Sequence, residues 1–182
     1  MSETATLAGG CFWCGEAIFE QLGGVSHVQS GYTGGHVPNP SYQDVCSETT
    51  GHAEAVQIQF DPEVISYREL LEIFFSTHDP TTLNRQGSDI GARYRSAIFY
   101  DGADQAKQAN EMVAEAAELW PNPIVTEIVA LHEFYGAEDY HAQYYRSNIN
   151  QPYCQFVINP KVMKFREKYR EKLKAGGSQI TS

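Results

Sequence analysis

The stretch Gly9-Gly10-Cys11-Phe12-Trp13-Cys14-Gly15-Glu16 gathers the residue types that do sulfur chemistry. Cys11 follows a Gly-Gly turn and precedes an apolar run of helical period, so its sulfur is expected at a helix start. Free backbone N–H groups and the positive end of the helix dipole favour a thiolate there. Two aromatic side chains follow at once, and a second thiol, Cys14, comes one helical turn later. A nucleophile, an apolar surface and a redox partner thus fall within one short segment. The chain has four cysteines, the others being Cys46 and Cys154. In a reducing compartment such spacing points to catalysis, redox chemistry or metal rather than to a disulfide framework.

The elements that must position these groups can be read from periodicity and capping signals. Thr4–Ala8 reads as a strand ending at the Gly-Gly turn, and Phe12–Leu22 as a helix stopped by Gly23-Gly24. Val25–Thr33 reads as a strand, and Gly34–Gly51 as a long polar loop carrying Tyr42. Glu54–Phe60 alternates, with Val56, Ile58 and Phe60 on one side and Gln57 and Gln59 on the other, as in a half-buried strand. Ser66 and Glu69 form a capping box before the helical run Leu70, Leu71, Phe74 and Phe75. Asp79–Arg95 is a second long loop, carrying Asp89 and Tyr94; long ordered loops in compact domains are usually functional. Ser96–Tyr100 and Val125–Glu133 read as strands, and Asp104–Leu119 and Lys161–Lys174 as helices. A frayed tail is expected over 176–182.

The chain of 182 residues is long enough for one ordinary core, and the reading is a single catalytic domain over 1–182 with its core at about 4–170. Apolar content of 42% and charged content of 20% read as globular. A net charge of −10 argues against a phosphate-backbone partner. No apolar run reaches membrane-spanning length and no signal-like stretch opens the sequence. The expectation is a cytoplasmic monomer with no nucleic acid or membrane partner and no cofactor or metal. Strands and helices are mixed without strict alternation, which predicts an α+β, two-layer domain with helices packed on one mainly antiparallel sheet.

Several segments, in order, resemble the A-type peptide methionine sulfoxide reductase family. Gly10-Cys11-Phe12-Trp13 resembles its nucleophile motif. Gly31-Tyr32-Thr33-Gly34-Gly35, Asn39-Pro40-Ser41-Tyr42, Val45-Cys46-Ser47 and Thr50-Gly51-His52-Ala53-Glu54 resemble a second block. His78-Asp79-Pro80-Thr81-Thr82, Asn84-Arg85-Gln86-Gly87, Asp89, Gly91 and Tyr94-Arg95-Ser96 resemble a third. Gln151-Pro152-Tyr153-Cys154 resembles a resolving region. The likeness runs from about residue 7 to 168.

The resemblance implies a two-layer sandwich related to the ferredoxin-like arrangement and reduction of the S-epimer of methionine sulfoxide, free or in proteins. It implies Cys11 as nucleophile, with an inert buried thiol as the bland alternative. Glu54 would be the general acid rather than a solvated strand-end carboxylate. Tyr42 and Tyr94 would donate hydrogen bonds to the sulfoxide oxygen, or else sit at the core edge. Phe12 and Trp13 would wall the methyl pocket, although plain helix packing also accounts for Phe12. Asp89 would shape the polar end of the site or simply form a turn.

After oxygen transfer Cys11 would be a sulfenic acid, which condenses with a second thiol. Cys154 is expected to resolve first, with Cys14 as the alternative and a relay through both left open. Residues three apart on a helix have Cβ atoms ~5–6 Å apart, so a Cys11–Cys14 bridge needs a small tightening. Thioredoxin is the implied reductant. Substrate is expected to promote ionisation of Cys11 by neutralising the surroundings of the acid, the groups titrating as a set.

The chain departs from the family pattern at three places. Cys14 stands where Gly is frequent, Arg93 where Gln is common, and Glu48 where a small residue is frequent. The last two are expected to alter loop chemistry only slightly. Cys46 and the remaining histidines, including His141, read as structural or surface residues. Two rival readings remain: a thioredoxin-like disulfide oxidoreductase built on Cys11-x-x-Cys14, and a zinc module of Cys11, Cys14, Cys46 and His52.

Overall fold

A computed structural model describes residues 1–175; the tail expected to fray lies outside the described residues. In chain order the elements are β1 (Glu3–Gly9), α1 (Phe12–Phe19), β2 (Val25–Thr33), α2 (Tyr42–Cys46), β3 (Ala53–Phe60) and α3 (Tyr67–Thr77). Next come β4 (Arg85–Gln86), β5 (Asp89–Ile90), β6 (Ser96–Tyr100), α4 (Ala103–Leu119), β7 (Glu127–Ala130) and β8 (Phe134–Gly136). The short α5 (Tyr144–Ser147) and then α6 (Asn159–Lys168) follow.

Six strands form one sheet in the order β7-β6-β1-β3-β2-β8, and β4 pairs with β5 in a separate hairpin. Every pairing in the six-stranded sheet is antiparallel except that of β6 with β7. The expected two-layer class holds. Leu7 lies opposite Val56 on one side and Ile98 on the other, and Val28 lies opposite Ile58. These side chains make one apolar face, as period-two alternation requires. Phe12, Ile18 and Phe19 of α1, Leu70, Leu71 and Phe74 of α3, Met112 of α4 and Phe165 of α6 cover it. Burial of this face supplies most of the driving force for the fold. The other face includes Ala8, Ala53, Ala55, Ala97 and Phe99, against which the half-buried Leu131 and Phe134 pack.

Capping fixes two helices that matter to the site. Ser66 and Glu69 make the expected reciprocal pair at the start of α3. The loop 34–51 is not all loop, because Ser41 and Asp44 make the same pair and start α2 at Tyr42. Ser41 Oγ accepts the Asp44 N–H at 3.1 Å, and Asp44 Oδ2 accepts the Ser41 N–H at 2.9 Å. The loop 79–95 likewise holds the β4–β5 hairpin and a single turn of tighter helix at Ala92–Tyr94.

Other boundaries also differ from expectation. α1 stops at Phe19, because Leu22 leaves the helix to make a β-bridge with Leu173. The strand expected at 125–133 is confined to 127–130: Val125 N–H turns away to Pro80 O at 2.8 Å. The C-terminal helix begins earlier, at Asn159 after a wide turn over 154–158, and ends at Lys168.

Candidate active site

The turn between β1 and α1 places Cys11. Gly10 has φ +97°, a conformation natural to glycine, and a Cβ there would collide with Gln86. Gln86 is itself fixed, its amide accepting the Asp79 N–H and donating to Asp79 O, both at 3.0 Å. Cys11 then occupies the cap position of α1 but makes no side-chain cap. A residue distant in sequence does so instead: Phe12 N–H donates to Glu54 Oε1 at 3.2 Å. The carboxyl of β3 therefore sits at the start of the helix that carries the nucleophile candidate.

Opposing effects act on Glu54, which is 2% exposed. Burial dominates and pushes its carboxyl up to about 7, although the Phe12 N–H and the Arg93 cation pull the other way. Cys11 does not behave as its helix position predicts. Burial, then the Glu54 charge, then Cys14 hold its thiol well above the ordinary range, against the Trp13 N–H and the Tyr153 phenol. The pull of the helix start toward a thiolate is thus outweighed at rest, because loss of water exceeds the weak dipole of a short helix and Glu54 opposes ionisation as expected. Cys11 as a residue keeps 9% of its surface.

The other expected residues converge on this point in different ways. Tyr94 is close enough to Glu54 and Cys11 for both charges to raise its phenol after burial has done so, and Tyr42 responds likewise to Glu54 and Tyr94. Tyr42 is held by Glu138, which accepts its N–H at 3.0 Å and the Tyr32 hydroxyl at 3.0 Å. Phe12 is buried at 2% exposure against Tyr32 and His141. Trp13 is half-buried, its ring stacked on Tyr144 at 3.7 Å and its Nε1–H donated to His141 Nδ1 at 3.0 Å. Asp89 accepts the Tyr153 hydroxyl at 2.6 Å, and that phenol lies within hydrogen-bonding reach of both Cys11 and Cys14.

The cysteines are not equivalent. Cys11, Cys14 and Glu54 line one small cavity of about 30 Å³, with Lys161 at its edge. Burial pushes Cys14 up to about 11, and Lys161 opposes this. Cys154 is fully buried and acts on Cys14. Cys46 lies near the Tyr42 phenol and, after burial, raises it.

Some residues of the site escaped the sequence reading. His141 is 1% exposed and packs its ring 4.9 Å from Phe12 and 4.7 Å from Tyr42. Its Nε2 is buried without a partner among the described residues. Tyr144 and Tyr153 complete a strap over 139–153 laid across α1. Glu16, 4% exposed, accepts backbone N–H groups of Gln143 and Tyr144 and so holds the strap from beneath. The crowd of rings in Tyr140-His141-Ala142-Gln143-Tyr144-Tyr145 was the available signal. Arg93 and Glu48, expected to matter little, also enter the site: Arg93 Nη2 donates to Tyr94 Oη at 3.0 Å, and Nη1 pairs with Glu48 at 2.6 Å. The zinc alternative loses its histidine, because His52 Nδ1 accepts the Gly35 N–H and Nε2 lies 2.7 Å from Val37 O.

A thiol, a buried carboxyl held near neutrality and two phenols, all at one helix start, define a thiol-based reductase site. The sequence profile described as "Peptide methionine sulfoxide reductase" matches residues 3–173, and the chain belongs to that family. It is 55% identical over 172 residues to the peptide methionine sulfoxide reductase MsrA of Saccharolobus solfataricus, covering 94% of this chain and 97% of that protein. Methionine sulfoxide reductase A of Corynebacterium diphtheriae superposes with a TM-score of 0.79 at 38% identity, over 81% of this chain and 76% of that one. Mxr1 from Saccharomyces cerevisiae, solved in complex with Trx2, superposes with a TM-score of 0.55 at 26% identity, over 79% of this chain and 84% of that one.

Proposed function

We propose that this chain reduces methionine sulfoxide, free or in proteins, to methionine at Cys11 and is recycled by thioredoxin. The observation that carries the chemistry is the Phe12 N–H bond to Glu54, which sets a carboxyl of about pKa 7 beside the sulfur. An acid with that affinity is about half protonated at pH 7, far more than an ordinary carboxyl, as a proton donor to the sulfoxide oxygen must be.

Cys11 Sγ attacks the sulfoxide sulfur while Glu54 protonates the oxygen. The attack forms an S–S bond; as this bond and the methionine S–O bond break, the protonated oxygen passes to Cys11 and an S–O bond forms there, so methionine is reduced and Cys11 becomes a sulfenic acid. The thiol releases one proton and the carboxyl gives one up, so the acid ends as it began. Tyr42 and Tyr94 donate hydrogen bonds as charge grows on the oxygen. Phe12 and Trp13 hold the methyl group, and Asp89 steadies Tyr153 beside the thiols. Once substrate takes the acid's proton, its carboxylate can accept the thiol's, which is how substrate promotes formation of the nucleophile.

The sulfenic acid condenses with a thiol and releases water. The shared cavity favours Cys14 as first partner, and exchange with Cys154 then moves the bridge away from Cys11. This relay reverses the order expected from the sequence. The dithiol of thioredoxin returns the disulfide to thiols. The complex that the related Mxr1 forms with Trx2 supports that partner.

Selection of the S-epimer follows if methyl, oxygen and the remaining side chain each have one place. We read residues 1–182 as a single domain acting as a cytoplasmic monomer. None of its helices among the described residues is long and apolar enough to cross a membrane. The deciding assay offers both epimers of an N-blocked methionine sulfoxide to the wild type and to Cys11→Ser, with dithiothreitol as reductant. One epimer should be consumed, by the wild type alone. Turnover by the variant would defeat the assignment, and disulfide exchange without sulfoxide consumption would favour the oxidoreductase alternative.

A further inference from the structure

Arg93 and Glu48, two departures from the family pattern, meet at the oxygen end of the site. Glu48 has φ +61°, a left-handed conformation rare for a side chain of its kind. Its carboxylate fills the space beside Gly91 that a Cβ would need. From there it accepts the Arg93 backbone N–H at 3.3 Å and pairs with Nη1 at 2.6 Å. Nη1 also donates to Cys46 O at 3.2 Å. The guanidinium is thereby fixed, with its carbon 4.4 Å from the centre of the Tyr94 ring.

Two of its donors face the proposed chemistry. Nη2 donates to Tyr94 Oη at 3.0 Å. A phenol has one hydrogen, so an oxygen that already accepts from Arg93 keeps its own O–H free to donate elsewhere. Arg93 Nε is 3.8 Å from Glu54 Oε2 and is buried without a hydrogen-bond partner among the described residues. A buried, unsatisfied N–H is costly enough to need a reason. Here it points a fixed positive charge at the carboxyl that must lose a proton while the substrate oxygen gains charge.

We propose that Arg93, clamped by Glu48, is a positioning residue for sulfoxide reduction: it holds the Tyr94 hydroxyl as a donor and fixes a cation beside Glu54. This rests on the roles proposed above for Glu54 and Tyr94. Other charges reach the same carboxyl. Cys11 faces it from α1, Asp89 from the β4–β5 hairpin, Glu48 from the end of α2, and the phenols of Tyr32, Tyr42 and Tyr94 from their own segments. Arg93 is the cation among these neighbours, so its removal should leave Glu54 protonated to higher pH.

The test compares Arg93→Gln and Arg93→Lys in the wild-type and Tyr94→Phe backgrounds, using N-blocked methionine sulfoxide and dithiothreitol. Arg93→Gln should lower kcat about 10–100-fold with KM little changed, and should move the alkaline limb of the kcat–pH profile upward. In the Tyr94→Phe background most of the loss in kcat should vanish, while the shift of the limb should persist. Arg93→Lys should restore the limb but only part of kcat, since a lysine keeps the charge and not the fork. Glu48→Gln keeps Arg93 but slackens its clamp, and should lower kcat in the same direction by a smaller factor. A wild-type profile for Arg93→Gln, or equal losses in both backgrounds with no movement of the limb, would overturn the proposal. If Arg93→Gln does not fold, unchanged kinetics in Glu48→Gln would overturn it instead. Wild-type rates in Glu54→Gln and Tyr94→Phe alone would instead mark failure of the roles on which it rests.

Discussion

The indole of Trp13 lies flat on the ring of Tyr144, with centroids 3.7 Å apart and planes 7° apart. His141 fixes the same indole from its edge by accepting the Nε1–H. A methyl pocket walled by Trp13 is therefore set by residues far along the chain. Stacked pairs contribute about 0.5–1.5 kcal/mol beyond burial, which converts to a factor of about 2–10. Tyr144→Ala should raise KM for an N-blocked sulfoxide by that factor and change kcat less, as steady-state kinetics would show. A fall in kcat at constant KM would mean the stack serves the chemical step rather than binding.

Glu16 ties the strap to the underside of α1 through the N–H groups of Gln143 and Tyr144. Gln143 adopts a left-handed conformation, φ 52°, at the start of α5, so the carboxylate holds a bend the backbone does not favour. Removing a cap of this kind costs about 0.5–2 kcal/mol. Urea denaturation of Glu16→Ala should show that loss, and faster proteolysis within 139–153 should accompany it. A midpoint equal to that of the wild type would remove Glu16 from this role.

Burial pushes Glu54 and Glu16 from the ordinary value of 4.5 up to about 7. Both carboxyls bind a proton more tightly when folded than when unfolded. Their contribution to stability is full below pH 4.5 and is lost as pH rises through about 7. For Glu54 the loss is about 3 kcal/mol, on the scale of 1.36 kcal/mol per pKa unit. Chemical denaturation at pH 5 and pH 8 should therefore differ more for the wild type than for Glu54→Gln. The same variant should lose about 10²–10⁴-fold in kcat. The wild-type kcat should decline above about pH 7, where the acid ionises. A flat profile to pH 9 would exclude Glu54 as the donor.

Cys11 and Cys14 line the same cavity, and Cys154 acts on Cys14. Cys154→Ser should release one methionine per chain and stop with a Cys11–Cys14 bridge, recycled by thioredoxin at least about 10-fold more slowly than in the wild type. Cys14→Ser should leave a longer-lived sulfenic acid on Cys11, open to trapping by a 1,3-dione. Peptide mapping after one turnover reads both. A direct Cys11–Cys154 bridge formed as fast in Cys14→Ser as in the wild type would break the relay.

The nucleophile's surroundings were legible because they are local. Gly10, Cys11 and the helical run after them carry their structural meaning within a few residues, and Ser66 with Glu69 announces α3 in the same way. Ser41 with Asp44 carried a similar signal, but its Asp in place of Glu or Gln hid α2 within a polar stretch. What stayed hidden was non-local. The Glu54 carboxyl caps a helix from a strand 42 residues away, a contact no spacing rule reveals. How strongly burial opposes a Cys11 thiolate stayed hidden for a related reason, since it depends on what packs above the sulfur. The strap has no periodic apolar face, so Tyr144 and His141 carried little pattern beyond their crowding.

The Leu22–Leu173 bridge, with Lys174 N–H donating to Gln21 O at 2.9 Å, joins the far end of the described chain to the segment just beyond the first helix. Trp13, two residues after the nucleophile, is covered by Tyr144 and Tyr153, more than a hundred residues further along. Until that cover is in place, a thiol that acts on oxidised sulfur is itself the more open to oxidation.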